Sequence, residues 1–211
     1  MSDFDAHSVA ENSEPVTEAA GRKRPKPGER RIQILQALAA MLEQPDGERI
    51  TTAALAARLQ VSEAALYRHF ASKAQMFEGL IEFVETTIFT LANKVQSAET
   101  DGVAQAEQIV SMLLGFAQKN PGMTRVLVGD ALVNEDERLQ VRMNQLYDKL
   151  EATLRQSLRT AQMANAWHGD PSSDAAALFA FVMGRWLLFA KSGFRRLPQD
   201  GWEGQRKFLF D

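Results

Sequence analysis

"RITTAALAARLQVSEAALYRHFASK", residues 49–73, holds two short helical patterns with almost nothing between them. Thr51 is a favourable N-cap for a helix that runs to about residue 59, and Ser62 is a favourable N-cap for one that runs to about residue 70. Gln60 and Val61 form the turn. Two helices joined so tightly predict a helix-turn-helix, whose second helix can lie in the major groove of DNA.

A third helix, predicted over residues 29–44, precedes this pair. None of the three is much longer than the roughly 12–15 residues that an isolated helix needs for marginal stability. We therefore expect them to stabilise one another as a tri-helical unit. Its predicted core is a single small apolar set: Ile34, Leu35, Leu38, Leu42, Ile50, Leu55, Leu59, Leu66, Tyr67 and Phe70.

The second helix of the pair presents small residues near its start. Ser62 and Ala64 would let this helix approach base edges closely, while Arg68, His69 and Lys73 are placed for phosphates, which position a protein without specifying sequence. The alternative is a helical hairpin packed inside an all-α protein without any DNA contact. Spacing alone leaves both interpretations open.

Charge is distributed unevenly along the chain. The net charge is −5 over residues 1–21, +5 over residues 22–73 and −3 over residues 74–211. A basic segment in an otherwise acidic protein is typical of a nucleic-acid contact, although it can also be a solvated face.

Residues 1–28 lack apolar periodicity and are predicted to be a disordered tail. The tail ends in a basic arm that either contacts phosphates, reaches a minor groove or serves as a solubilising linker: Arg22, Lys23, Arg24 and Lys26.

The rest of the chain predicts an all-α fold, because apolar residues recur at helical spacing and no segment alternates with a period of two. The predicted helices cover residues 73–97, 103–119, 123–132, 135–164 and 173–191, and a last helix follows Pro198. The helix over 135–164 has an apolar spine: Leu139, Met143, Leu146, Leu150, Leu154 and Leu158.

The helix over residues 173–191 is the most apolar part of the chain. Arg185 interrupts its apolar sequence, whereas a bilayer span needs roughly 20 residues with few charges. We therefore expect a buried helix in a soluble, cytosolic protein. Its apolar surface is too wide for a helix packed on one side. A two-fold homodimer, with Gly184 at a close contact, would bury the surplus and present two recognition helices to a palindromic site.

Catalysis has little support in the sequence. The chain has no cysteine, which excludes disulfides and thiol nucleophiles. Its three histidines fall in a tail, in the second helix of the pair and in a loop, and neither a glycine-rich phosphate loop nor a paired-histidine metal motif is present. We expect neither an enzyme nor a cofactor or metal site.

Residues 29–90 resemble the DNA-binding domain of the TetR family in the Thr-capped helix, the "VS" turn, "LYRHF" and the "SK" that opens a linking helix. The resemblance implies a helix-turn-helix domain over residues 29–73 and a larger helical dimerisation and regulatory domain over residues 74–211. The DNA-binding residues that it implies are Thr51, Thr52, Ser62, Ala64, Tyr67, Arg68, His69 and Lys73. For Thr51 the alternative is capping alone, and for Tyr67 it is a half-core position.

"LLGFAQKNPGMTRVLVGDAL" and "RLQVRMNQLYDKLEATLRQSLR" extend the resemblance over residues 29–165, to TetR-like nucleoid occlusion factors that bind chromosomal sites and antagonise the division protein FtsZ. It implies a groove for the FtsZ tail between the linking helix and the next helix. The matching positions are Phe83, Leu91, Met112, Gly115, Lys119 and Asn120. Leu91 stands where the resemblance implies a basic residue. The alternative is that Phe83 and Met112 are core residues and Gly115 a helix–helix contact.

Two functions remain open at this point. The first is a cytoplasmic, nucleoid-associated factor that binds palindromic DNA, with an unspecified number of dimers per site, and inhibits FtsZ assembly. The second is a TetR-like transcriptional repressor that a small apolar ligand releases from DNA. The repressor requires an enclosed pocket in the larger domain, whereas the occlusion factor requires an outward-facing groove.

Overall fold

The computed structural model describes residues 28–44 and 50–210, and these ranges contain helices and connections but no β-strand. The predicted basic arm and the acidic tail lie outside the described residues. The helices are α1 Glu29–Leu42, α2 Thr52–Leu59, α3 Glu63–Tyr67, α4 Lys73–Ala98, α5 Gly102–Lys119, α6 Pro121–Leu127, α7 Glu137–Met163, α8 Pro171–Lys191 and α9 Trp202–Phe210. This agrees with the predicted all-α fold.

Side-chain caps define where the first helices begin. Thr51 Oγ1 accepts a hydrogen bond from the backbone N–H of Ala54 at 3.1 Å, and Ser62 Oγ accepts one from Ala65 N–H at 3.3 Å. Gln60 ends α2 in the left-handed conformation, at φ 55°. The predicted N-caps and turn of the helix-turn-helix are therefore confirmed.

The predicted bounds of two helices were wrong. α3 ends at Tyr67 rather than at about residue 70, because Phe70 turns inward and becomes 1% exposed in the core. The helix predicted over 123–132 begins instead at Pro121, a residue well suited to the first turn of a helix. That helix stops at Leu127, and a 3-10 turn over Asp130–Leu132 follows a left-handed Gly129.

One continuous apolar core runs from α1 to the start of α9. The six predicted spine residues of α7 are all at most 1% exposed, and they face α4, α5 and α8. In the predicted core of the first three helices, Tyr67 is the outlier: it is 45% exposed, while Leu35 and Leu59 are partly buried. The tri-helical unit thus rests on the larger helical body through α4 and α6.

Helix α6 approaches α1 very closely. A Cβ atom added at Gly122 would lie 2.0 Å from the carbonyl oxygen of Ala39, which no real side chain tolerates. Arg125, one turn further along α6, donates hydrogen bonds to the carbonyl oxygens of Leu42 and Gln44, each at 3.4 Å. The end of α1 is therefore attached to the larger body.

Helix α8 buries one face and exposes the other. Trp186 is fully buried, and its Nε1 donates a hydrogen bond to Leu113 O at 3.1 Å. By length and composition α8 is long and apolar enough to cross a membrane. Of its most apolar stretch, 33% is buried inside the protein. The exposed face carries small and apolar residues: Ala176, Ala177, Ala180, Leu187 and Leu188.

Candidate nucleic-acid interface and peptide groove

The face formed by α2 and α3 carries most of the predicted DNA-binding residues at the surface. Thr51, Ser62 and Ala64 are exposed, so the small-residue face of α3 is open to a partner. Thr51 and Ser62 also cap their helices, and their hydroxyl oxygens are engaged with backbone N–H groups. Thr51 and Ser62 therefore cap their helices and also lie on the exposed face.

A hydrogen-bond chain joins the start of α2 to α3. Thr52 Oγ1 donates to Glu63 Oε2 at 2.5 Å, and the Tyr67 hydroxyl donates to Thr52 Oγ1 at 3.4 Å. These two hydrogen bonds hold the Tyr67 side chain close to the start of α2 while leaving it 45% exposed. Tyr67 is therefore a surface residue whose position is set by its hydroxyl, rather than a core residue.

The end of α3 is fixed from α1. Arg31 donates a hydrogen bond from Nη1 to the carbonyl oxygen of His69 at 2.9 Å, and its guanidinium lies 4.0 Å from the centre of the Phe70 ring. The Arg68 and His69 side chains remain exposed beside this anchor. Sequence reasoning missed Arg31, because nothing local indicates a contact that spans 38 residues.

Lys73 differs from the other predicted DNA-binding residues because it is paired with a residue of the larger body. Its ammonium group forms an ion pair with Glu135 at 2.5 Å, in the connection before α7. Both side chains are largely buried. In this arrangement Lys73 ties the start of α4 to the larger body.

All six residues predicted to bind the FtsZ tail line one groove between α4 and α5, of about 670 Å³. Phe83 is 47% exposed at its rim, so it is not a core residue. Met112 is half-buried in the wall. Gly115 meets no neighbouring helix: an added Cβ there would lie 3.2 Å from Gln199 Nε2. The six positions therefore lie together in one groove.

Residues 34–80 match the family model of bacterial regulatory proteins of the tetR family, and residues 100–211 match the SlmA-like model of the tetracyclin repressor-like C-terminal domain. A nucleoid occlusion factor SlmA from Alteromonas mediterranea is 49% identical over 178 residues, which are 83% of this chain and 91% of the relative. One from Marinomonas sp. is 48% identical over 85% of this chain and 92% of its own length. The chain belongs to the SlmA-like branch of the tetR family.

Solved structures of distant regulators share the fold of this SlmA-like chain. The fatty acid degradation regulator FadR from Bacillus halodurans has a TM-score of 0.74 at 13% identity and covers 88% of this chain and 97% of its own. The TetR-family regulator PfmR from Thermus thermophilus has a TM-score of 0.70 at 18% identity, covering 84% and 97%. Membership in a family of regulatory proteins agrees with the expectation that the chain is not an enzyme.

Half of the groove lining of this SlmA-like chain was missed from the sequence: Thr87, Val95, Gln108, Ser111, Phe116 and Gln199. A periodic signal was available for three of them, Thr87, Val95 and Gln108. Positions 83, 87, 91 and 95 follow one another in steps of four along α4, and positions 108, 112, 115 and 119 share one face of α5. Gln199 has no such signal, since it comes from a connection far along the chain.

Proposed function

We propose that this chain is a nucleoid occlusion factor: a homodimer that binds palindromic DNA through α2 and α3, receives the tail of FtsZ in the α4–α5 groove and inhibits Z-ring assembly over the nucleoid. The observation that supports this most strongly is the assembly of all six predicted contacts in one open groove. The 48–49% identity to nucleoid occlusion factors over most of the chain supports it independently.

The chemistry of the groove suits an extended peptide with apolar side chains and a carboxylate. Phe83, Leu91 and Met112 offer apolar surface, and the Gln199 amide lies over Gly115, where an added Cβ would be 3.2 Å from its Nε2. Lys119 is the one charged residue among the lining residues, and it is exposed at the C-terminal end of α5. We therefore assign the pairing with an acidic group of the FtsZ tail to Lys119.

Leu91 alters this groove relative to the family pattern that the sequence resembles. With leucine at this position, the α4 wall offers Phe83, Leu91 and Val95 as apolar surface and contributes no charge to the lining. Binding of the tail should therefore depend less on salt than it would with a basic residue at position 91.

The packing of the larger body argues against the repressor as the leading function. Between α5 and α8, where a small apolar ligand would need space, the fully buried Trp186 donates to Leu113 O, and its ring meets Phe179 edge-on at 6.4 Å. The groove, by contrast, is lined by exposed residues such as Phe83 and Lys119. A partner that approaches from outside fits this arrangement better than an enclosed ligand.

On the DNA side, the proposal assigns base approach to Ser62 and Ala64, and phosphate contacts to Thr51, Arg68 and His69. Thr52 joins them once its hydrogen bond to Glu63 opens, and Tyr67 joins them from the exposed side of its ring. Lys73 contributes only if its ion pair with Glu135 breaks. Such a protein would be cytoplasmic and associated with the nucleoid.

The test is sedimentation and light scattering of FtsZ polymers with this protein, in the presence and absence of DNA carrying its palindrome. We expect fewer polymers when the DNA-bound protein is added, and no such effect from the Lys119→Glu variant. Lys207→Glu, a charge reversal of an exposed lysine on α9, is the matched control and should behave like the wild type.

Unchanged FtsZ polymers with the DNA-bound wild-type protein would overturn the proposed function. Release of DNA by a small apolar ligand would in that case favour the repressor.

A further inference from the structure

The groove between α4 and α5 has a third side, which comes from the connection between α8 and α9. Gln199 lies in this connection, and its side chain lines the groove beside Gly115. The backbone N–H of Gln199 donates to Gln118 Oε1 on α5 at 3.4 Å. Within the described residues, the side-chain amide of Gln199 has no hydrogen-bond partner, so both its N–H donors and its oxygen face the groove unpaired.

Arg185, within the apolar stretch of α8, holds this connection in place. Its Nε donates to Pro198 O at 3.0 Å, and its Nη2 donates to Leu197 O at 3.0 Å and to Asp200 O at 2.6 Å. The three acceptors are the carbonyl groups immediately around Gln199. A planar guanidinium presents its donors in a rigid fork, which a lysine cannot reproduce.

The helix that follows is also anchored, so the connection is fixed from both ends. Trp202 is buried at the start of α9, with its ring 6.2 Å from that of Phe181 on α8. Arg206 forms an ion pair with Glu107 on α5 at 2.9 Å. These contacts place α9 against the α5 side of the groove, and they leave Gln199 with little freedom to move away.

We propose that Gln199 is a further peptide-binding residue of the groove and that Arg185 is its positioning residue. An extended peptide exposes backbone N–H and C=O groups that lose water when it binds, and each needs a partner. A primary amide can both donate and accept, so the Gln199 amide, which lies over Gly115 in the groove, pairs with the peptide backbone. This assignment rests on the proposed function, since the peptide is the FtsZ tail assumed there.

The experiment measures fluorescence anisotropy of a labelled peptide of the FtsZ C-terminal tail, titrated with full-length protein bound to its palindromic DNA. The variants are Gln199→Ala, Arg185→Gln and the double variant, with Lys119→Glu as the reference for the groove itself. Arg196→Gln is the matched control, because the Arg196 side chain is exposed in the same connection and forms no hydrogen bond or ion pair with the described residues.

We expect Gln199→Ala to weaken peptide binding roughly two- to tenfold, the range for one neutral hydrogen bond. Arg185→Gln should weaken it similarly, and the double variant should be no weaker than either single variant, because Arg185 acts through Gln199. A residue that merely stabilised α8 would lower the thermal midpoint without this coupling. Arg196→Gln should bind like the wild type.

Two results would overturn the inference while leaving the proposed function intact. In the first, the wild type binds the peptide and Lys119→Glu abolishes binding, yet Gln199→Ala binds as tightly as the wild type. In the second, the effects of Gln199→Ala and Arg185→Gln add in the double variant. A wild-type protein that fails to bind the peptide would sink both the inference and the proposed function. Because Gln199 is exposed, its variant remains informative even where Arg185→Gln destabilises the fold.

Discussion

Arg68 carries an exposed positive charge at the end of α3, and its side chain forms no hydrogen bond or ion pair within the described part of the chain. Its replacement by alanine should therefore leave the fold intact while removing one phosphate contact. We predict that Arg68→Ala weakens DNA binding at moderate salt and reduces the slope of log K against log salt by about 1. Titrations at several salt concentrations measure this, with far-UV circular dichroism as the check on folding and Arg196→Ala as the control.

Thr51→Ala should also weaken DNA binding, but part of its effect is structural. Because Thr51 caps α2, its loss should lower the free energy of unfolding by about 1 kcal/mol. Affinity measured well below the unfolding temperature separates the two effects. DNA binding equal to that of the wild type would mean that Thr51 only caps its helix.

Asp130 lies between Lys191 and Arg125. From this arrangement we predict that the free energy of unfolding depends on pH. Burial alone would raise the pKa of its carboxyl group, but the hydrogen bonds and positive charges of Lys191 and Arg125 outweigh burial and hold the pKa below the ordinary 3.8. The folded state therefore favours the carboxylate. Its contribution is complete above the unfolded pKa and is lost as the pH falls through the lower, folded pKa.

Urea unfolding between pH 7 and pH 3 measures this contribution by comparing the wild type with Asp130→Asn. The difference in unfolding free energy should be constant from pH 7 to about pH 5 and should shrink below about pH 4. A difference that persists unchanged at pH 3 would contradict the charged role of Asp130.

At the level of single residues, the sequence was informative where the signal is local. Thr51 and Ser62 were predicted as caps because an N-cap acts over two or three residues. Arg31 and Gln199 were beyond prediction, because each acts on residues far away in the sequence. Lys73 illustrates the same limit: its charge was evident, but its partner Glu135, 62 residues later, was not.

Helix α6 provides a prediction at the level of elements. Because a Cβ atom at position 122 would meet the Ala39 carbonyl at 2.0 Å, Gly122→Ala must push α6 away from α1. We expect a loss of about 1–3 kcal/mol in the free energy of unfolding, the usual cost of overpacking. Differential scanning calorimetry is the measurement.

Gly204→Ala on α9 is the control, since an added Cβ there meets nothing within 4 Å. By helix propensity alone it should stabilise the protein, by up to about 1 kcal/mol. If Gly122→Ala raised the melting temperature as Gly204→Ala does, the close contact of α6 with α1 would be wrong.

Helix periodicity was sufficient to predict where most elements lie, and tertiary contacts explain the exceptions. The six leucine and methionine positions of α7 share one face in the sequence and one core in the fold. α3 ends early because Phe70 enters the core beneath Arg31, a packing event that no local pattern indicates. The pattern over residues 123–132 predicted one helix, but Gly129 adopts a left-handed conformation that interrupts it.

At the scale of the whole molecule, the exposed face of α8 leads to a prediction about assembly. Leu187 and Leu188 are 44% and 45% exposed, and an added Cβ at Gly184 meets nothing within 4 Å in a single chain. If two copies of α8 pair, a larger side chain at Gly184 must separate them. We predict that Gly184→Leu shifts the protein from dimer to monomer and weakens binding to a palindromic site.

Sedimentation velocity over a range of concentrations measures the shift, and Gly204→Leu serves as a control at another open helical glycine. A Gly184→Leu protein that remains as dimeric as the wild type would place the dimer interface elsewhere. The sequence predicted the surplus apolar surface of α8, because its apolar residues extend around more than one face of the helix. The division into domains at residues 73 and 74 likewise stays a prediction, since the apolar core is continuous across it.

The linking helix α4 has a consequence for how the two proposed activities are arranged in space. It is one unbroken helix of 26 residues, about 39 Å long, with the DNA-binding unit at its first turn and the groove along the rest. Phe83 and Val95 lie about 15 Å and 33 Å along it from Lys73. If the proposed function holds, a tail bound in this groove would lie at a distance from the DNA that the rise of α4 fixes.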